Sequence, residues 1–116
     1  MVSPKPINPV GECFDSVAFQ VMSGRTKITK ICHGIGIATA PGQEGQTMKH
    51  AWLEDDTHAF DTTYGFKLRK DQYRKDLSIS YCVEYTPPEF MALWMKHDYP
   101  GPWDQTIIER CPDRGK

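Results

Sequence analysis

Residues 48–62, MKHAWLEDDTHAFDT, constrain the fold of this chain more than any other stretch. Two short runs of aromatic, small apolar and β-branched residues flank Asp55-Asp56. Acidic turn residues between two such runs signal a β-hairpin. The expected strands are 48–54 and 57–62. With Asp55-Asp56 at the turn, Leu53 faces His58, Ala51 faces Phe60 and His50 faces Asp61. Directly opposed side chains share a face, with Cβ atoms about 4.5–5.5 Å apart. A loop of two or four residues therefore makes His50 and Asp61 neighbours, whereas a slip of one residue sends Asp61 to the other face. Trp52 falls two residues along on the His50 face, placed to shield the pair from water. His58 falls on the opposite face from Asp61.

A hairpin alone buries too little surface to be stable and needs partners. Phe14, Val17, Ala18, Val21 and Met22 recur at helical spacing, which predicts a helix over 12–23 with Gly24 as its stop. Lys30–Thr39, KICHGIGIAT, reads as a buried strand whose glycines admit a second backbone at close range. The turn-rich 40–47 reads as a loop. A helical turn at 70–75 and a strand at 77–85 follow. Thr86-Pro-Pro-Glu89 has the form of a capping box with proline in the first turn. It predicts a helix packed by Phe90, Leu93 and Trp94 that ends near Tyr99-Pro100-Gly101-Pro102. The expected architecture is α+β: a cysteine-bearing N-terminal helix on a small antiparallel sheet of three or four strands, with a C-terminal helix on its flank. Residues 1–10 read as an extended arm, 11–103 as the single domain and 104–116 as a polar tail.

At 116 residues, 39% apolar and 25% charged, the chain fits one globular domain. No apolar run reaches the roughly 18 residues of a membrane span, and the first residues lack the apolar core of a signal peptide. These features read as a cytoplasmic protein with no membrane partner. A net charge of −1 gives no long-range attraction to nucleic acid. The local exception is Lys67, Arg69, Lys70, Arg74 and Lys75 around Tyr73. A solvated helix face is the favoured reading, with a phosphate-binding patch the lesser one. The four cysteines, Cys13, Cys32, Cys82 and Cys111, form no CxxC and no zinc-ligand spacing, and no HExxH pattern occurs. Neither a metal nor a cofactor is expected. Without a secretion signal, thiols are expected in preference to two disulfides. Cys32 and Cys82 lie in apolar runs as core fillers.

Cys13 opens the first helix, and a thiol is a nucleophile only as its anion. Unpaired N–H groups and the positive dipole end at a helix start stabilise that anion. Gly11 leaves space for a substrate backbone. The competing reading is a cysteine simply buried beside Phe14. A nucleophile also needs a base, and the base needs an orienting group. The His50–Asp61 pair suits that need, and it is equally compatible with a cross-strand surface pair. His33 is the substitute base if the hairpin register is wrong, and otherwise a core histidine. His97, near the end of the last helix, suits the negative dipole end. Tyr99–Trp103 reads as a chain stop with Trp103 packed on the core, or else as a rigid aromatic lip.

The segments G-E-C-F-D-S-V-A-F at 11–19, H-A-W-L-E at 50–54 and F-D-T-T at 60–63 resemble the helix-start cysteine and the histidine–aspartate hairpin of papain-like and transglutaminase-like proteins. A wider frame, C-H-G-I-G…H-A-W-L-E…D-T-T…Y-T-P-P-E-F…Y-P-G-P-W, resembles short uncharacterised bacterial and phage proteins. The first resemblance implies thiol chemistry on an amide or ester of a protein or peptide: hydrolysis, deamidation or acyl transfer. It assigns Cys13 as nucleophile, His50 as general base and acid, and Asp61 as orienter. Thr62 stands where that pattern has proline. No tyrosine or glutamine stands close before Cys13 as an oxyanion donor. Asn8 is the only upstream amide, so Asn8, Gly11 and Trp52 are the candidates for the substrate and oxyanion side. The alternative hypothesis is a binding or inhibitory protein, phage-encoded and directed at a host or defence component, that keeps this scaffold without turnover.

Overall fold

The computed structural model describes residues 13–24, 28–37, 45–62 and 65–111. The proposed arm 1–10, Asn8 and Gly11 lie outside the described residues. The elements run α1 (Cys13–Ser23), β1 (Lys30–Ile37), β2 (Thr47–Glu54), β3 (His58–Asp61), β4 (Phe66–Arg69), α2 (Lys70–Asp76), β5 (Tyr81–Tyr85), α3 (Pro87–His97) and α4 (Gln105–Arg110). The protein is α+β, with five strands in the order β4-β3-β2-β1-β5 and every pair antiparallel. No helix among the described residues is long and apolar enough to cross a membrane.

The alternation of side chains along β1 and β2 sorts the core into two layers. On one side, Ile31, Ala51 and Leu53 pack against Phe14, Val17 and Ala18 of α1 and Phe90 of α3. On the other, Cys32, Trp52 and Ala59 pack against Tyr73 of α2. Burying an aliphatic side chain such as Val17, Ile31 or Leu53 in full is worth about 1.5–3 kcal/mol. The central strand needs its glycines. A Cβ at Gly34 would stand 2.9 Å from the tip of the Trp52 indole, and one at Gly36 would stand 2.6 Å from the Leu77 carbonyl oxygen.

The capping box of α3 forms as its sequence predicts, with Thr86 Oγ1 accepting from Glu89 N–H and Glu89 Oε1 accepting from Thr86 N–H. Phe90 is fully buried, and Met91 and Trp94 join the core beside it. Trp103 packs rather than forming a lip. It contacts Tyr85 and Phe90 and stacks on His97.

The sheet, its last strand and the hairpin register differ from expectation. The sheet has five strands, because residues 66–69 form β4 against β3. The last strand begins at Tyr81, since Leu77 still caps α2. From Asp104 the chain forms a short helix, α4, within the segment expected as a polar tail. Asp104 caps α4 by accepting from Ile107 N–H and also accepts from the Tyr81 hydroxyl. Ile107 and Cys111 are buried against Ile35. The hairpin register is shifted by two residues, pairing Leu53 with Phe60 and Glu54 with Ala59. Asp55 is the cause. Its carboxylate accepts from the backbone N–H groups of Thr57 and His58 at 2.8 and 2.6 Å, and its own N–H donates to the His58 carbonyl, which moves the turn one residue along, to Asp56-Thr57.

Candidate active site

A shift of two residues preserves the face, so His50 and Asp61 still point to the same side, now on the diagonal rather than directly opposed. His50 Nε2 lies 3.7 Å from Asp61 Oδ2, beyond hydrogen-bond range. The Tyr73 hydroxyl stands between them. It donates to Asp61 Oδ2 at 2.7 Å and lies 2.7 Å from His50 Nε2. Cys13 opens α1 as expected, and its thiol interacts with the His50 side chain. Cys13, His50 and Asp61 are thus brought together, each less than one-tenth exposed.

The surroundings favour a charged imidazole. Burial opposes it, but Asp61 and then Cys13 outweigh that cost and raise the His50 pKa to about 9. Burial first, and the Asp61 carboxylate second, hold the Tyr73 phenol protonated. Trp52 stacks on the His50 ring, with centroids 5.8 Å apart and an interplanar angle of 19°. It shields the pair as its position in β2 suggests. It does not face a substrate: the side chain is fully buried, and its indole N–H donates to Glu54 Oε2 at 2.8 Å.

Glu54 is buried and is held by Arg74 through Nε and Nη2, both at 2.8 Å. Arg74 also bonds Glu84 at 2.7 Å and reaches the sulfurs of Cys82 and Cys32. The ligand atoms of Cys32, Glu54 and Glu84 lie within 4.8 Å of one another, and this guanidinium is what they converge on. Arg74 therefore turns from the basic run onto the sheet, with 30% of its side chain still exposed. Lys67 sits over the Phe60 ring, and Arg69 is exposed.

The other histidines stay out of the site. His58 bonds Thr57 Oγ1. His33 is fully buried in a box of Phe14, Tyr85, Phe90 and Trp103, with neither ring nitrogen hydrogen-bonded. Burial lowers its pKa to about 3, so it is neutral at ordinary pH. Beside Asp61 a cavity of about 180 Å³ opens, floored by Leu53 and Phe60 and rimmed by Gln20 and Lys67.

Tyr73 and Arg74 are the residues that sequence reasoning missed. Both lie in the segment read as a charge run, on a helix of seven residues that is too short to show an apolar period. A tyrosine among five cations was the one available signal. Comparison with family models, with curated proteins and with solved structures returned no match.

Proposed function

We propose that the protein is a small cysteine-dependent hydrolase or acyltransferase acting on an amide or ester of a protein or peptide. The observation that carries this reading is one imidazole, His50, held between the Cys13 thiol and the Tyr73–Asp61 pair. In the reaction, Cys13 gives its proton to His50, and the sulfur attacks the acyl carbon. His50 then returns the proton to the leaving amine or alcohol, and a thioester forms. Water or an amine, deprotonated by the same imidazole, cleaves the thioester and releases the product. The resemblance of 11–19, 50–54 and 60–63 to papain-like and transglutaminase-like proteins supports the reading, and the start of α1 supplies N–H groups near the sulfur.

An activated ester tests the proposal without knowledge of the natural substrate. Mixing the protein with p-nitrophenyl acetate should release a burst of p-nitrophenolate and leave an acetyl group on Cys13, seen by intact mass. His50→Ala should slow the burst and Cys13→Ala should abolish it. A burst that survives Cys13→Ala would exclude this chemistry.

A second reading, a binding protein on the same scaffold, draws on Phe19 and Met22. They stand one turn apart on the outer face of α1 and are 66% and 62% exposed. It expects the biological effect to persist in Cys13→Ala and to be lost in Phe19→Ser.

A further inference from the structure

We propose that Tyr73 is a positioning residue that couples Asp61 to His50, so that the working unit is a chain of four groups: thiol, imidazole, phenol and carboxylate. This rests on the cysteine chemistry proposed above and names a residue that it requires.

The single proton of the phenol defines this role. A phenol has one proton to donate, and Tyr73 directs it to Asp61 Oδ2 at 2.7 Å. Toward His50 Nε2, also at 2.7 Å, the phenol oxygen can then only accept. Nε2 must carry a proton, which leaves Nδ1 as the basic nitrogen for the Cys13 thiol. Asp61 cannot fix this tautomer directly across 3.7 Å. Tyr73 is only 2% exposed, so water does not compete for these bonds. When the thiol proton moves to Nδ1, the other two protons stay in place: Nε2–H remains on Tyr73, and the phenol O–H remains on Asp61. The imidazolium charge then faces the carboxylate through a single oxygen.

The phenol is itself held in position. Arg74, the next residue, pins α2 to the sheet through two bonds to Glu54. Glu54 accepts from the Trp52 indole, and Trp52 stacks on His50. The contacts run His50, Tyr73, Arg74, Glu54, Trp52 and back to His50. Such a closed circuit keeps both ring and phenol in one geometry.

The test is the pH profile of Cys13 alkylation by iodoacetamide in the full chain, for wild type, Tyr73→Phe, Asp61→Asn and the double variant. Tyr73→Phe keeps the packed ring and removes only the hydroxyl. It should slow alkylation near neutral pH by about tenfold or more and move the profile to higher pH. Adding Asp61→Asn should then change little, because the link is already cut. If the two effects simply multiply, Asp61 acts on His50 directly and the inference fails. A shifted wild-type profile that Tyr73→Phe leaves in place also overturns this inference alone. A wild-type profile like that of an unstructured thiol overturns the cysteine chemistry and this inference with it. Nitrogen-15 NMR of the unmutated chain covers a variant that does not fold. In alkaline solution, where the imidazole is neutral, His50 should be the Nε2–H tautomer, and an Nδ1–H tautomer would contradict the role of Tyr73.

Discussion

His50 and Asp61 point to the same side of the β2–β3 ribbon, yet 3.7 Å separates Nε2 from Oδ2. The Tyr73 hydroxyl stands between them, 2.7 Å from each, and on the role proposed for it the carboxylate would orient the ring through that hydroxyl, while its charge acts on the imidazole across the gap. Orientation and electrostatics, which a direct pair would supply through one bond, are here divided between two residues.

That charge makes stability depend on pH. The His50 pKa is raised to about 9 in the folded protein, against about 6.5 in an unfolded chain. A raised value stabilises the fold fully below about pH 6.5, and this contribution is lost as pH rises through about 9. Its size is on the order of 3 kcal/mol. Urea unfolding of wild type and His50→Ala should show their difference in free energy shrinking across that window. A difference that stays constant with pH would mean that the imidazole is not held charged.

Arg74 anchors α2 through a carboxylate that has no access to solvent, since Glu54 is 0% exposed. Arg74→Met would strand that buried charge, and breaking a buried pair from one side costs about 3–5 kcal/mol. Lys75→Met, on the exposed neighbour, should stay within about 0.5 kcal/mol. Equal denaturation midpoints for the two variants would show that the Arg74 cluster is not an anchor.

Residues of the site differ in how far the sequence alone reveals them. His50 and Asp61 share a face because side chains alternate with a period of two, and that parity survives a register error of two residues. The register itself depends on Asp55 folding back onto the N–H groups of Thr57 and His58, which strand patterning does not report. The α1 stripe and the α3 capping box were legible because each is a local pattern. Strand β4 was hidden in a run of alternating cations, and the docking of α4 depends on Asp104 and Tyr81, 23 residues apart. Tyr73 reaches the site only through tertiary packing, so no spacing rule could place it there.

His33 should make the fold sensitive to acid. Its pKa is lowered to about 3 by burial, so the unfolded chain takes up a proton that the folded one refuses. The corresponding stability is present above about pH 6.5 and is lost as pH falls toward 3. His33→Leu keeps much of the volume and removes two unbonded nitrogens from an aromatic box. The variant should gain on wild type as pH is lowered, by roughly 3 kcal/mol near pH 4. Thermal melts at pH 7 and pH 4 would show it, and parallel losses in both proteins would argue against a neutral buried imidazole.

The cysteines compete for an alkylating reagent, and the order in which they react reports on Cys13. Cys13 is 6% exposed, whereas Cys82 is half-buried and more accessible. Burial pushes the Cys82 thiol up, and that of Cys32 further still. Accessibility alone would therefore label Cys82 first, whereas activation by His50 would label Cys13 first. Limited iodoacetamide treatment at about pH 6.5, followed by peptide mass mapping, separates the two outcomes. Activation by His50 requires that Cys13 is modified ahead of Cys82 and that His50→Ala reverses the order. Labelling of Cys82 before Cys13 in the wild-type protein would contradict it.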